Sequence, residues 1–377
     1  MDQETFLTLA RQLMPLPTAP FHEHWVIAAV ETFAAARPTL RLRRDSAGNL
    51  LLLYSHPRAS RAARLIVTAH LDHPGLGFPQ PVGKGEYFFE KLGGVNLAQA
   101  CRSRVRLYDP RRAASQRPQL GHISGHLCQR EIEGFVVRLQ PGATLGPGAF
   151  GMWNLPALRR RGRLLYGRAC DDLAGVVAGL CFLDELIRQQ ARVRVGLLLT
   201  RAEEVGFAGM IEASQSGWLD RGAIYVNLEC SSARAGAILG AGPIVRVGDR
   251  SSLFDPHLSS GMALLASELA KTKTSLSFQR KLMDGGTCEA SVLHRAGFRT
   301  AALALPLGNY HNQGAEALAP EFIHLDDAVG LVRLLVHVAL QPGGLAQAGV
   351  RAGDHLTRSL EARHLRHAPR LRETSTS

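Results

Sequence analysis

No segment of this 377-residue chain approaches 18 uncharged apolar residues in a row, which argues against a membrane-spanning helix and leaves no membrane partner expected. The opening residues, MDQETFLTLARQL, bring acids in early and lack the apolar run of a signal peptide. Cysteine is sparse. The six, Cys101, Cys128, Cys170, Cys181, Cys230 and Cys288, show no CxxC spacing and fall short of the density of a secreted disulfide scaffold. Reduced thiols and a cytoplasmic location are the expectation. Lysine is scarce as well, so the net charge of +12 is almost wholly arginine. Those arginines are scattered, without an aromatic-interleaved basic motif or zinc-finger spacing, and nucleic acid is not an expected partner. A solvated basic surface accounts for them. Internal repeats are absent too, which sets aside solenoid architectures.

What is present is an ordinary globular composition, 46% hydrophobic and 20% charged, over a length that suits more than one domain. Residues 1–73 read as a helix (ETFLTLARQL), a Pro-rich turn, a longer helix (HEHWVIAAVETFAAA) and two strand regions, LRLRRDSAGNLLLLYS and ARLIVTAH. From 74 to 165 the character changes to Gly, Pro and Arg with short β-like pieces and no helical period, as expected of a small β-rich domain inserted into a larger one. Strand and helix alternation resumes over 166–346. There Leu173, Val176, Val177, Leu180, Leu183, Leu186 and Ile187 form a helical stripe, and Asp326 or Asp327 suits an N-cap. Residues 347–377 lack an apolar pattern and read as a flexible basic tail.

The chemistry lies at the ends of the apolar runs. ARLIVTAHLD closes on His70 and Asp72, RVGLLLTRAEEVG on Glu203 and Glu204, AIYVNLEC on Glu229, and TAALALPLGNYH on His311. Asp171 and Asp172, in GRACDDLAG, open a helix. Continuous apolar runs suit strands covered on both faces, and open α/β sheets bind ligands at the strands' carboxyl ends. On a strand, residues i and i+2 share a face, so Asp72 can hold the far nitrogen of His70. A carboxylate pair straight after an apolar strand calls for a compensating cation. In hydrolytic zinc sites one carboxylate ligates while another, unligated, takes a proton from water. His70, Asp171, Glu204, Glu229 and His311 give two imidazoles and three carboxylates, enough for two divalent ions sharing one aspartate. Zinc is the first expectation, with cobalt or manganese as alternatives. Cys170 and Cys230 each abut a proposed ligand, but strand neighbours point to opposite faces, which favours packing for both.

The order of these motifs, HLD, CDD, AEEVG, LEC and YH, resembles the co-catalytic metallo-aminopeptidases. More narrowly it is similar to the glutamyl/deblocking aminopeptidases that form tetrahedral particles, also described as cellulase-M-like. QPGATLGPG, GPIVRVGDRSS and DGGTCEAS support the resemblance, which spans roughly residues 5–345. It implies a mixed β-sheet flanked by helices, of the zinc-aminopeptidase kind, with an inserted small β-barrel used for self-association and access. It also implies that His70, Asp171 and Glu229 hold one metal and Asp171, Glu204 and His311 the other, with Asp72 orienting His70 and Glu203 as general base. The sequence departs from the family at Glu229, where Asp is commoner, at His73, where an acid is frequent, and in NYHN. The expected reaction is hydrolysis of N-terminal residues from short peptides by a homo-oligomer. The alternatives are a metal-dependent amidohydrolase or deacylase acting on a non-peptide amide, or a silent binding relative.

Overall fold

The apolar runs form the middle of one eight-stranded sheet in the computed structural model, which describes residues 2–59, 64–129, 131–233, 236–272 and 276–374. The chain enters through α1 (Gln3–Leu13) and α2 (His24–Ala35), then β1 (Leu40–Arg44), β2 (Leu50–Ser55) and β3 (Leu65–His70). β1 and β2 pair antiparallel around the SAGN turn, where Gly48 takes a φ of 85° that few other residues tolerate. Next come β4 (Gly75–Gly83), β5 (Glu86–Leu92), the short α3 (Leu97–Ala100), β6 (Arg104–Tyr108), β7 (Gln119–Gln129), β8 (Ile132–Leu139) and β9 (Phe150–Trp153). These six strands close into a barrel in the order β4-β5-β8-β7-β6-β9. Phe89, Ile123, Phe135, Val137 and Trp153 pack together as its core, as a barrel of this size requires.

The chain continues through β10 (Leu158–Arg161), β11 (Leu164–Gly167), α4 (Leu173–Arg188), β12 (Arg194–Thr200), α5 (Ala208–Gln215), β13 (Ile224–Ser232) and β14 (Ile244–Asp249). It ends with α6 (Pro256–Ala270), β15 (Gln279–Met283), α7 (Glu289–Arg295), β16 (Arg299–Leu307), β17 (Glu321–His324), α8 (Leu325–Ala339) and α9 (Gly344–Thr374). By composition the insertion extends to residue 165. β10 and β11 pair instead with β17 in a three-stranded sheet, so the barrel itself ends at Trp153.

In the large sheet the order is β1-β2-β12-β3-β13-β16-β14-β15, and the middle four, β12, β3, β13 and β16, are parallel neighbours. They are buried along nearly their whole length, which is why their sequences run apolar without alternation. α4 covers them with residues buried on nearly every side. Gly179 permits its close approach, since a Cβ there would lie 2.5 Å from Leu197 Cδ1. The segment expected as a flexible tail is helical as far as Thr374, and residues 375–377 lie outside the described residues. Leu345 and Ala348 anchor α9, and a Cβ on Gly261 of α6 would meet the Gly349 nitrogen at 2.5 Å. Beyond that anchor, alanine, leucine and arginine sustain the helix by propensity. No single described helix is long and apolar enough to cross a membrane.

Candidate metal centre

β12, β3, β13 and β16 bring their carboxyl ends to one rim of the sheet. Register sets Thr200 beside His70, the last residue of β3, and Glu229 beside Ala304 of β16. Glu203 and Glu204 follow β12 after Ala202, a residue held at φ 53°. His311 sits in a 3₁₀ turn after β16, where Asn309, His311 and Asn312 all have positive φ. Such conformations persist only where surrounding structure fixes them. Asp171 lies on the β11–α4 connection, and its peptide bond to Asp172 is cis.

The side chains converge. His70 Nε2 lies 3.4 Å from Asp171 Oδ1 and 3.7 Å from Glu229 Oε1. His311 Nε2 lies 3.3 Å from Glu204 Oε2 and 3.8 Å from Asp171 Oδ2. Asp171 thus turns one carboxylate oxygen toward each imidazole. His70, Glu203 and Glu229 form one cluster with ligand atoms within 4.8 Å of one another, and Asp171, Glu204 and His311 form a second. Asp171, Asp172 and Cys230 form a third, in which Cys230 Sγ is 3.6 Å from Asp172 Oδ1. Burial pushes the thiols of Cys170 and Cys230 well above their usual range, so both remain protonated packing groups.

Whether cations fit can be judged from unused atoms. Asp171 Oδ1, Glu204 Oε1 and Glu229 Oε2 are buried without a hydrogen-bond partner. The Nδ1 atom of His70 faces the Asp72 carbonyl oxygen at 3.2 Å, and the ring of His311 donates to the Gly94 backbone. Both imidazoles thus turn Nε2 toward carboxylates, and in the neutral tautomer protonated at Nδ1 each would offer a lone pair there that a cation can bridge to the carboxylate oxygens. The electrostatics agree. Burial pushes Glu203 and Glu204 well above the usual carboxylate range, with Glu203 and Asp171 adding to the shift of Glu204. Asp171 is pushed up to about 7 by burial and then by Glu229. Burial opposes a charge on His70, yet the surrounding carboxylates, Glu203 first, raise it well above its ordinary value. His311 falls to about 3 through burial and then through the neighbouring His73. The carboxylates and His70 thus favour added positive charge while burial keeps His311 neutral, and divalent cations suit the site's oxygen and nitrogen donors.

Asp72 differs in detail from expectation. Its carboxylate accepts the Glu203 and Glu204 backbone N–H groups at 3.0 Å each, while its Oδ1 lies 3.6 Å from His70 Nδ1. It grips the glutamate loop and touches His70 mainly through its own carbonyl. Further carboxylates, missed in the sequence, repeat this pattern. Glu321, fully buried, accepts from Asp171 N at 3.0 Å and His311 N at 2.8 Å, tying together two strand-end loops. Glu23 accepts from Ala202 N and from Arg201 Nε. His73 bridges the Asp171 carbonyl (2.7 Å) and Asn312 Oδ1 (2.9 Å). No spacing in PEFIHL or FHEHW marks these acids as buried, because, apart from Phe21 N on Glu23, the N–H groups they bind lie outside those segments.

Comparison with known proteins gives a consistent result. Residues 144–334 match the M42 glutamyl aminopeptidase family. No curated protein matches the chain in sequence. An aminopeptidase from the archaeon Desulfurococcus kamchatkensis superimposes with a TM-score of 0.73 at 18% identity, over 90% of this chain and 96% of its own. The TET1 peptidase of Pyrococcus horikoshii, which can assemble into a tetrahedron or a large octahedral shell, gives 0.71 at 19% identity, over 89% and 100%. A Thermotoga maritima protein described as an endoglucanase gives 0.65 at 16% identity, over 90% and 99%. At these identities the likeness establishes the fold, a mixed sheet flanked by helices. The family match spans just over half the chain and takes in Asp171, Glu203, Glu204, Glu229 and His311, so the chain belongs to the M42 glutamyl aminopeptidase family and is a metallo-aminopeptidase.

Proposed function

We propose that the protein is a dinuclear aminopeptidase that removes N-terminal residues from short peptides. The observation that carries this reading is Asp171, with Oδ1 toward His70 and Oδ2 toward His311. In it His70, Asp171 and Glu229 hold one divalent ion and Asp171, Glu204 and His311 the other, zinc being the first candidate and cobalt or manganese the alternatives. When bound, such ions polarise the scissile carbonyl and acidify water. Glu203, in the cluster with His70 and Glu229, takes the proton of the attacking water and returns it to the leaving amine. Asp72 holds the loop that carries Glu203 and Glu204 in place. The cleft beside the cluster has a volume of about 340 Å³, room for a few residues of peptide.

In this reading residues 1–73 and 166–346, with the β10–β11 hairpin, form the catalytic domain, and the barrel is a separate inserted unit. The assemblies formed by the TET1 peptidase support self-association here too. Elemental analysis tests the metal assignment. The purified protein is expected to hold about two divalent ions per chain, and Asp171→Ala to lose both. One tightly held ion in both proteins would overturn the shared-aspartate reading, and a lack of cleavage of any aminoacyl peptide with zinc, cobalt or manganese would overturn the activity.

A further inference from the structure

α9 is 31 residues long and lies wholly beyond residue 334, where the family match ends. Its first turns pack on α6, with Leu345 and Ala348 buried and Arg351 paired to Glu268 at 3.2 Å. Past that anchor the helix leaves the fold: from Gly353 to Leu371 every residue but Ala368 is exposed. The fold does not bury its leucines. Leu356, Leu360 and Leu371 are 61%, 53% and 67% exposed. At about 3.6 residues per turn they share one arc of about 60° with Gly353 and His367, and the stripe runs roughly 22 Å along the axis. By the same geometry Arg363, Arg366 and Arg370 border one edge of the stripe, whereas Asp354 and Glu361 lie more than about 90° round from its middle. Pro369 falls on the far side.

We propose that the exposed part of α9 docks on an anionic lipid surface. An apolar stripe bordered by arginines, with the acids turned away, suits a helix that lies along such a surface: the leucines enter the headgroup layer while the guanidinium groups meet the phosphates. The net charge of +12 adds attraction at longer range. Other occupants fit less well. Two copies of α9 laid together would bring like charges close, since arginines outnumber acids between residues 353 and 371. A nucleic acid would use the arginines and leave the leucines in water. The expectation of no membrane partner concerned spanning helices, and a helix lying along a surface does not have to span. The proposal stands independently of the aminopeptidase reading.

Vesicle flotation of the full-length protein tests it, with phosphatidylcholine alone and with phosphatidylcholine containing about 30% phosphatidylserine. At about 0.1 M salt, binding to the anionic vesicles is expected to exceed that to the neutral ones by about 10-fold or more, and to fall at about 0.5 M. Leu356→Asp combined with Leu360→Asp should weaken it about 10-fold. Arg363→Gln combined with Arg366→Gln should weaken it by a similar factor and flatten its salt dependence. Leu365→Asp, on the far side of the helix, carries the same change of charge and helix propensity and should leave binding within about twofold of wild type. Equal binding to both vesicle types, or an equal loss in Leu365→Asp, would overturn the proposal. So would a wild-type protein that ignores vesicles: a lower mass of the double aspartate variant in light scattering would then assign the stripe to a second copy of the chain, and binding of duplex DNA would assign the arginines to nucleic acid.

Discussion

Glu203 and Glu204 are adjacent in sequence, and their backbone N–H groups share one acceptor, Asp72, yet their side chains face different partners. Glu204 lies 3.3 Å from His311, whereas Glu203 clusters with His70 and Glu229. Substitution should therefore separate them. Glu203→Gln keeps size and polarity but cannot accept a proton, so the rate is expected to fall about 10²- to 10⁴-fold with metal content near that of wild type. Glu204→Gln should instead weaken one ion, with activity partly restored by added metal. Metal analysis beside kinetics decides the matter, and the reverse pattern would exchange the two roles. Glu321 belongs to the same scale although it reaches no cation. Glu321→Gln must turn an amide N–H₂ toward either Asp171 N or His311 N, both of which are donors. Metal affinity is expected to drop about 10- to 100-fold, measured by competition with a chelator, as is usual when an outer partner of a ligand is altered. An unchanged affinity would mean that the two loops hold their shape without it.

Among the elements, the loop after β5 links barrel and catalytic site. Gly93, at φ 92°, passes Glu204, and a Cβ on Gly94 would lie 2.8 Å from His311 Nδ1. Gly94→Ala should thus displace His311 and lower the affinity for one ion while sparing the other. Gly85→Ala, in an open barrel turn at φ 72° with nothing within 4 Å, should reduce stability by about 1 kcal/mol and leave metal binding alone. Equal metal loss in both would indicate a general effect of barrel stability. The elements that carry the proposed ligands were legible in the sequence, because a long apolar run ending directly in an acid or imidazole sets that group at the buried rim of a sheet. The elements that hold those ligands were not. Glu321, Glu23 and Gly94 act on backbone or ring atoms that only the fold brings near. Helix boundaries were ambiguous for a local reason. Asp326 and Asp327 both look like caps for α8, but His324 is the N-cap, its ring accepting from Asp326 N. Asp327 accepts instead from the Gly240 and Gly242 N–H groups at 2.8 Å. α9 was hidden by composition, since its arginines mask a helix anchored through Leu345 and Ala348.

At the scale of the whole molecule, the barrel leaves apolar side chains in solvent: Phe78 and Val82 on β4, Leu127 on β7 and Ile132 on β8, each 41–45% exposed. Leu127 and Ile132 flank the turn of one hairpin, in register with Gly134 and Gln129. Apolar side chains at a strand tip suit a contact surface where a partner covers them. If the barrel mediates closed self-association, light scattering at micromolar concentration should report a mass well above the 40.8 kDa of one chain. Replacing Leu127 and Ile132 together by aspartate should shift the mass toward one chain, because two charges buried in an interface cost far more than two exposed ones. The candidate metal centre lies at the rim of the large sheet, and neither Leu127 nor Ile132 is among the residues of its clusters or its cleft. The double variant should consequently keep its metal content and its cleavage of dipeptides. A wild-type protein that is already monomeric would remove the premise, and an oligomer unaffected by the double variant would move the interface to another face of the molecule.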